Sequence, residues 1–282
     1  MIKSGARGRR TKGGLVTSTE SWDGICIPDK LDSGDPKFTQ LAEASSLQPV
    51  DRIDLTQKCP RVQTQAMDYS CSAQAVVSAI EFLQMKHNDG RYQHWSRLFV
   101  YYYARELEKT LGDGGASIKG AISAVRDQGV CPEAIWPYLQ GNIDVRPNQE
   151  IRDEAERHEV NSYRLTAGNL AEMKACLASG YPFVFCFWYG DRYPETPPDD
   201  AGFVRIPQEK KAEHCVMAVG FDDARRRIFF QNSKGSEWGV GGYGSISYDY
   251  ITDGNLVRDF WTIRGMEGLP IHRSPVAKRP YI

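Results

Sequence analysis

The segment Gln65–Phe82, with the sequence QAMDYSCSAQAVVSAIEF, places one cysteine, Cys71, directly in front of a run with helical periodicity. Apolar residues recur at intervals of three and four from Ser72 to about Met85, and the polar residues form one narrow stripe, which predicts a mostly buried helix. A cysteine in the first turn of a helix lies near unpaired backbone N–H groups, which stabilise an anion and lower the pKa of the thiol. Because cysteine is also one of the residue types most often buried, Cys71 is either a thiolate nucleophile or a small core residue.

The composition is that of a soluble globular protein. The chain has 282 residues, of which 41% are hydrophobic and 25% charged, so it can form one large domain or two lobes. The formal net charge of −1 argues against a nucleic-acid or membrane partner, and no apolar run approaches the ~18 residues of a membrane span. The basic N-terminus is not followed by a hydrophobic segment. We therefore expect a monomer that is cytoplasmic or is exported by a route without a Sec signal peptide.

The cysteines and histidines show no pattern of a disulfide or metal framework. The seven cysteines are an odd number and include no CxxC pair, which predicts a reducing compartment, free thiols and no disulfides. The five histidines form no HExxH or HxH cluster, so we expect no metal site and no cofactor. Several cysteines are expected to be small core residues: Cys59, Cys131, Cys176, Cys186 and Cys215.

The periodicity changes along the chain. Helices are predicted at about 72–85, 96–111 and 117–128, followed by an exposed helix or connector at 148–159 and a helix from Asn169 to near Gly180. Strands are predicted at 183–189, 214–221, 228–231 and 243–248. Helices followed by strands indicate an α+β protein with one lobe of each kind. We divide residues 46–282 into a helical lobe at about 60–150 and a β lobe at about 160–265.

Residues 1–45 are rich in Gly, Ser, Lys, Arg and Asp and have no sustained periodicity. Three interpretations are open: a mobile tail, a pro-segment that lies over a cleft, and an arm that binds a polyanion.

A second group of candidate residues lies in the β-rich half. His214 opens the apolar run HCVMAVGF, and Asn232 closes the run RIFFQN. The turn sequence between them predicts a hairpin centred near residue 223, in which His214 and Asn232 are cross-strand neighbours. A histidine in such a strand is either a core residue satisfied by backbone groups or, beside an asparagine, an oriented general base. With Cys71, the chain then supplies nucleophile, base and orienting residue in the order Cys, His, Asn.

These residues resemble the papain-like cysteine peptidases. His214 and Asn232 follow Cys71 by 143 and 161 residues, near the spacing of about 130–150 residues in that family. Gln65 stands six residues before Cys71, where the family has the glutamine that donates to the oxyanion. Other similar stretches are NSKGSEWG at 232–239, GYG at 242–244, the Gly-Gly pair at 114–115 and the segment 130–138.

The resemblance covers about residues 54–261 and implies a papain-like fold of two lobes. The N-terminal lobe would be helical, the C-terminal lobe an antiparallel β-barrel-like unit, and the active site would lie in the cleft between them. The resemblance implies catalytic roles for four residues, Cys71, His214, Asn232 and Gln65. It also implies four substrate-binding residues: Gly114, Gly115, Glu213 and Trp238.

The chain departs from the family's pattern near the expected site. Asp68 replaces the half-cystine that precedes the nucleophile, so that disulfide is absent, which fits a bacterial-type branch. Ser72 replaces an aromatic residue, and Lys234 replaces the tryptophan that shields the Asn–His hydrogen bond. Trp238 is expected to cover that hydrogen bond from the other side. Glu213 is expected to put a negative charge beside the leaving-group side of the cleft.

We expect a peptidase that hydrolyses peptide bonds in an extended peptide or protein substrate through a thioester. The expected resting pair is a Cys71 thiolate and a His214 imidazolium. Two alternatives stay open: acyl transfer by a transamidase, ligase or amidase on the same residues, and a catalytically silent fold used for binding. The four intact functional positions favour an enzyme.

Overall fold

The computed structural model describes residues 26–30, 32–41, 50–65, 69–112, 114–155, 160–190 and 202–266. The helices are α1 (Cys71–His87), α2 (Arg97–Glu108), α3 (Ile118–Gln128), α4 (Gln149–Glu154), α5 (Leu170–Ala178) and α6 (Tyr248–Ile251). The strands are β1 (Arg52–Asp54), β2 (Val160–Arg164), β3 (Phe183–Tyr189), β4 (Ala212–Asp222), β5 (Arg227–Gln231), β6 (Tyr243–Ser247) and β7 (Val257–Met266). Within these ranges, no helix is long and apolar enough to cross a membrane.

The predicted helices are present, and short polar side chains mark where they begin. The side chains of Ser96, Ser117, Asn148 and Asn169 accept hydrogen bonds from backbone N–H groups in the first turns of α2 to α5. α2 ends earlier than predicted, because Lys109 adopts a left-handed conformation with φ 61° and closes the last turn. The polar segment 148–159 begins as the short helix α4, and its end at 156–159 lies outside the described residues.

The polar stripe of α1 is buried together with its apolar residues. Glu81 is fully buried and accepts hydrogen bonds from both terminal guanidinium nitrogens of Arg97 in α2, at 2.8 and 3.1 Å. Burial raises the pKa of Glu81, but the nearby Arg97 and His94 outweigh it and hold that pKa below its usual range. A buried carboxylate without a partner costs several kcal/mol, so this ion pair joins α1 to α2.

All strands of the described part form one antiparallel sheet in the order β2-β7-β3-β4-β5-β6, with β1 paired to β4. The predicted strands are confirmed as β3 to β6. β1, β2 and β7 are not predicted from the pattern, because β1 has three residues and the other two mix polar with apolar residues. Helices that pack against an antiparallel sheet confirm the α+β class.

β4 and β5 form the predicted hairpin, but in a different register. The pair next to the turn is Asp222 and Arg227, and Asn232 follows the last paired residue of β5, so Asn232 is not directly opposite His214. The register shifts beside Gly220, where β1 joins β4. A Cβ on Gly220 would collide with a carbonyl oxygen of β1, which explains the glycine there.

Residues 26–41, called the strap below, contact both halves of the molecule. The backbone N–H of Lys119 in α3 donates to Asp29 Oδ1 at 2.9 Å, and the indole N–H of Trp261 in β7 donates to Asp29 Oδ2 at 2.5 Å. Farther along, Phe38 is fully buried, and the backbone N–H of Arg164 in β2 donates to the Pro36 carbonyl at 2.8 Å. Residue 31 and the rest of the segment 1–45 lie outside the described residues.

The prediction that the chain has no disulfide is wrong. Sγ of Cys186 in β3 lies at bonding distance from Sγ of Cys26 in the strap and from Sγ of Cys215 in β4. These pairs are 160 and 29 residues apart in sequence, so no local spacing reveals them. Cys186 and Cys215 meet because they are direct cross-strand partners with Cα atoms 4.3 Å apart. The remaining cysteines are buried, as predicted, and are not in disulfides: Cys59, Cys71, Cys131 and Cys176.

Candidate active site

Cys71 lies where the helical half meets the sheet. It is the first residue of α1 and is 0% exposed. Backbone N–H groups of Ser72 and of Cys215 in β4 form hydrogen bonds to its thiol. The predicted nucleophile therefore contacts the residue that directly follows His214, although 143 residues separate Cys71 from His214.

Asn232 holds the His214 ring in one tautomer. Nε2 of His214 is 2.8 Å from Asn232 Oδ1, and the backbone N–H of Ser233 donates to the same oxygen at 2.8 Å. An atom that accepts from a backbone N–H is the amide oxygen, so the histidine must be the donor and Nε2 carries a hydrogen. In the neutral ring Nδ1 is then the basic nitrogen.

Gln65 is anchored to the segments that carry Asn232 and Cys71. Its backbone N–H donates to the Ser233 carbonyl at 2.9 Å, and the Ser233 hydroxyl donates to Gln65 Oε1. The Tyr138 hydroxyl donates to the Gln65 carbonyl at 3.1 Å and is 2.5 Å from the hydroxyl of Ser70, the residue before Cys71. Because Oε1 is held by Ser233, the amide NH₂ of Gln65 points in the opposite direction.

Burial shifts the pKa values of both Cys71 and His214. Burial raises the pKa of the Cys71 thiol to about 11, although backbone N–H groups and Lys234 act to lower it. Burial and then the positive charge of Lys234 lower the pKa of His214 to about 3. Burial therefore acts against both charged forms, because the loss of water disfavours a thiolate and an imidazolium. The expected thiolate–imidazolium pair stays a prediction.

Lys234 lowers the pKa values of both Cys71 and His214. Burial lowers the pKa of Lys234 to about 7, and the charge of Cys71 acts to raise it. The backbone of Lys234 pairs with Thr64, next to Gln65. Its positive charge favours a Cys71 thiolate and disfavours a His214 imidazolium. The lysine in place of the family's tryptophan is the signal for this charge in the sequence, although the resemblance predicts only the loss of a shield.

The predicted substrate-binding glycines lie just before α3. The Gly114 and Gly115 carbonyl oxygens accept hydrogen bonds from hydroxyl groups of the helical lobe at 3.0 and 3.2 Å. The backbone N–H of Lys119, in the first turn of α3, donates to Asp29 in the strap at 2.9 Å. The strap therefore lies beside the edge at which the resemblance expects an extended substrate.

The structure places the Glu213 carboxylate away from the expected position. Successive strand residues point to opposite faces, so Glu213 and His214 lie on different faces of β4. Glu213 is buried, and Arg258 in β7 donates to it from Nε at 2.9 Å and from Nη2 at 2.5 Å. The same Nη2 donates to the Cys26 carbonyl at 2.7 Å. Arg258 thus neutralises the charge of Glu213 next to the strap, and a role for Glu213 in binding substrate stays a prediction.

Trp238 belongs to the aromatic cluster of the β lobe. Its ring centroid is 5.9 Å from that of Phe230, which packs on Phe187, and Phe187 contacts the His214 ring edge-on at 6.1 Å. The cluster thus supports the histidine from within the lobe. A role for Trp238 in binding substrate stays a prediction.

Two residues of this region carry little signal in the sequence. Tyr138 links Ser70 to Gln65 and falls in the segment 130–138 that resembles the family, which is its only signal. Arg258 lies on β7, a strand that the pattern does not predict, and nothing in the sequence points to it.

Comparisons with known proteins agree with this geometry. A family model described as papain family cysteine protease matches residues 49–257. An uncharacterized peptidase C1-like protein of Acanthamoeba polyphaga mimivirus is 33% identical over 207 residues, which are 69% of this chain and 67% of that protein.

Solved structures show the same similarity. The crystal structure of xylellain, a cysteine protease from Xylella fastidiosa, has a TM-score of 0.74 and 30% identity, covering 89% of this chain and 99% of that chain. The digestive procathepsin L2 proteinase of Tenebrio molitor has a TM-score of 0.65 at 18% identity, covering 86% and 77%, and shows the shared fold.

The family match runs from just before β1 to the first residue of β7 and so includes both halves of the site. The predicted two-lobe fold and the predicted hydrolase activity are confirmed, whereas the bacterial-type branch stays a prediction. The chain belongs to the papain family of cysteine proteases.

Proposed function

We propose that this protease hydrolyses peptide bonds with Cys71 as nucleophile, His214 as general base and acid, Asn232 as orienting residue and Gln65 as oxyanion donor. The observation that carries the proposal is the hydrogen bond from His214 Nε2 to Asn232 Oδ1 at 2.8 Å. It makes Nδ1 the basic nitrogen of the ring, and the residue after His214 contacts the Cys71 thiol. Nucleophile and base thus belong to adjoining segments.

The reaction follows from these roles. His214 Nδ1 takes the thiol proton as Cys71 Sγ attacks the carbonyl carbon of the substrate. The oxyanion accepts hydrogen bonds from the Gln65 amide and the Cys71 backbone N–H. The imidazolium then protonates the leaving amine, and a thioester remains on Cys71. A water molecule that His214 deprotonates hydrolyses the thioester and restores the enzyme.

The strap acts in this proposal as an inhibitory segment. Cys71 is 0% exposed, so a peptide reaches the thiol only after part of the molecule moves. The strap is the candidate for that movement because Asp29 contacts α3 just past Gly115, and Cys26 Sγ is 3.0 Å from the Cys215 sulfur in β4. These contacts support the pro-segment interpretation over a tail.

The function is tested with an epoxide probe that alkylates active-site thiols, followed by digestion of a peptide library. The wild-type chain is compared with Cys71→Ala, and Cys59→Ser serves as a control that removes another buried thiol. We expect alkylation at Cys71 and peptide cleavage in the wild type and in Cys59→Ser, and neither in Cys71→Ala.

Each other outcome identifies a different function. Alkylation without cleavage would indicate acyl transfer to another acceptor. The absence of alkylation in the fully reduced wild type would indicate a silent, binding fold and would overturn the proposal.

A further inference from the structure

Three cysteine sulfurs meet at one buried point beside the proposed catalytic residues. They belong to Cys26 in the strap, Cys186 in β3 and Cys215 in β4, and none of these residues is more than 1% exposed. Sγ of Cys186 lies at bonding distance from both other sulfurs, and Sγ of Cys26 is 3.0 Å from Sγ of Cys215. A sulfur forms one disulfide at a time. The cluster therefore holds one disulfide and one thiol, with two possible pairings that share Cys186.

The two pairings differ in what they connect. A Cys26–Cys186 bond ties the strap covalently to β3, whereas a Cys186–Cys215 bond joins only two neighbouring strands. With the second pairing, the strap is held by noncovalent contacts alone, such as the Arg258 hydrogen bond to the Cys26 carbonyl at 2.7 Å. Whether Cys186 is bonded to Cys26 or to Cys215 thus determines whether the strap can move away from β3.

We propose that this cluster is a disulfide-exchange site that locks the strap in place and releases it. In the release step the Cys26 side chain rotates so that attacking and leaving sulfurs lie in line, and the Cys215 thiolate attacks Sγ of Cys186. The Cys186–Cys215 bond forms and the Cys26–Cys186 bond breaks. Cys26 leaves as a thiolate and takes up the proton that Cys215 lost, so the step needs no oxidant or reductant.

Forming a disulfide from the three reduced thiols does need an oxidant. A low-molecular-weight disulfide such as oxidised glutathione exchanges with two of the three thiols and is reduced to two thiols as the protein disulfide forms. An excess of a thiol reductant reverses this reaction and leaves all three cysteines reduced. The strap is then also free of its covalent link.

A metal site is the other chemistry that three thiols offer. Thiolates suit a soft cation such as Zn²⁺, but structural zinc sites have four ligands. Among the described residues, the cluster contains these three cysteines and no fourth metal-ligating side chain.

The test uses the full chain equilibrated in glutathione buffers from reducing to oxidising. Two quantities are measured: the disulfide-linked peptides by mass spectrometry after an acid quench, and the rate at which an epoxide probe alkylates Cys71. The variants are Cys26→Ser, which cannot tie the strap, and Cys215→Ser, which can form the Cys26–Cys186 bond but cannot exchange it. Cys59→Ser is the control, because Cys59 is buried and outside the cluster.

We expect peptides that link Cys186 to Cys26 and to Cys215 in the wild type. In oxidising buffer, alkylation of the wild type should be slower than that of Cys26→Ser by about tenfold or more, since the rate scales with the open fraction. Cys215→Ser should be slower still in mildly oxidising buffer and should recover when fully reduced. Cys59→Ser should match the wild type. Oxidation of Cys71 itself affects all variants alike, so it does not produce these differences.

Two results would overturn the proposal. One is a wild type in which no peptide contains Cys26 in a disulfide, including the case in which all three thiols are reduced and one equivalent of added Zn²⁺ binds. The other is a Cys26→Ser variant with the same redox dependence as the wild type. This inference rests on the proposed function only where the alkylation rate of Cys71 is measured. A Cys26–Cys186 peptide in a chain whose reduced Cys71 does not react would disprove the catalytic proposal and leave the covalent lock established.

Discussion

At the scale of single residues, the chemistry of the site depends on the Asn232 carboxamide. Its oxygen accepts from both the Ser233 backbone and the His214 ring, so the carboxamide cannot flip without losing the Ser233 hydrogen bond. The ring is therefore held as a base through Nδ1. Next to it, Lys234 acts on the pKa values of Cys71 and His214, and in the proposed function Gln65 acts on the oxyanion.

Replacing Gln65 should slow catalysis without preventing alkylation of Cys71. Gln65→Ala removes one of two proposed oxyanion donors, so kcat should fall by about 10²–10³-fold while KM changes little. The measurement is steady-state kinetics on a small peptide together with probe labelling. Gln63→Ala is the matched control and should leave kcat unchanged, because among the described residues the Gln63 side chain donates to the nearby Arg61 carbonyl. A complete loss of labelling in Gln65→Ala would mean that the site had misfolded.

Replacing Lys234 should move the acid limb of the pH profile. In Lys234→Met the positive charge that lowers the pKa values of both Cys71 and His214 is absent, so both values should rise. Activity at low pH requires either a neutral His214 or an ionised Cys71. Because the pKa values of both residues are higher in Lys234→Met, each of these forms is reached only at a higher pH. The acid limb of kcat/KM should therefore shift to higher pH.

The matched control for this shift is Lys58→Met, which removes an exposed lysine. Its pH profile should equal that of the wild type. An acid limb of Lys234→Met at unchanged or lower pH would contradict the electrostatic role of Lys234.

At the scale of elements, α1 and β4 carry the site because each is held from several sides. α1 is buried over its first 15 residues and is joined to α2 by the Glu81–Arg97 ion pair. β4 pairs with β3 over its first half and with β1 and β5 over its second half. Cys71 and His214 stand near the beginnings of these two elements, so the contact between Cys71 and the residue after His214 depends on the packing of whole elements rather than on loops.

Breaking the ion pair between α1 and α2 should destabilise the fold strongly. Arg97→Met leaves the Glu81 carboxylate buried without its main partner, and the free energy of unfolding should fall by about 3–5 kcal/mol. Urea denaturation at pH 7 measures this change. The double variant Glu81→Gln/Arg97→Met removes the buried charge as well and should lose less stability.

The Glu81–Arg97 ion pair should also make the stability of the fold depend on pH. The pKa of Glu81 is below its usual range in the folded state, so its contribution is present above the unfolded pKa near ~4.3 and is lost as pH falls. The wild type should therefore lose more stability on acidification than the double variant. Equal losses in both proteins would show that Glu81 does not contribute.

At the scale of the whole molecule, the strap joins the two lobes. Asp29 bonds to α3 on one side and β7 on the other, and Lys119 in α3 forms an ion pair with Asp35 at 2.7 Å. Burial and then the nearby charge of Asp259 raise the pKa of Asp29 to about 6. A segment held in this way restrains the lobes and, in the proposed function, access to the cleft between them.

Removing the strap should raise activity. A chain of residues 46–282 should show a higher kcat/KM on a small peptide than the full chain, because no strap competes with substrate. Its melting temperature should fall, since buried Cys26 and Phe38 are lost. A chain of residues 26–282, which keeps the strap, is the control and should behave as the full chain. Equal kcat/KM in all three proteins would show that the strap does not restrain the cleft.

The sequence by itself determined most of the helices, four of the strands and the order of the proposed catalytic residues. The periodicity of 72–85, the capping residues Ser96, Ser117 and Asn169, and the apolar runs at 183–189 and 214–221 are local signals. Motif order around Cys71 and His214 was enough to indicate the papain family, because that order lies along the chain.

Only the tertiary structure decided what depends on contacts between distant segments. The pairing of Cys186 with Cys26 and Cys215, the ion pair of Glu213 with Arg258 and the place of the strap all join residues that no period or spacing connects. The pKa shifts of Cys71 and His214 were also decided there, since burial acts against the charged form of each residue. The physical reason is that desolvation and covalent pairing are set by which surfaces are excluded from water and brought together, and a linear pattern does not contain that information.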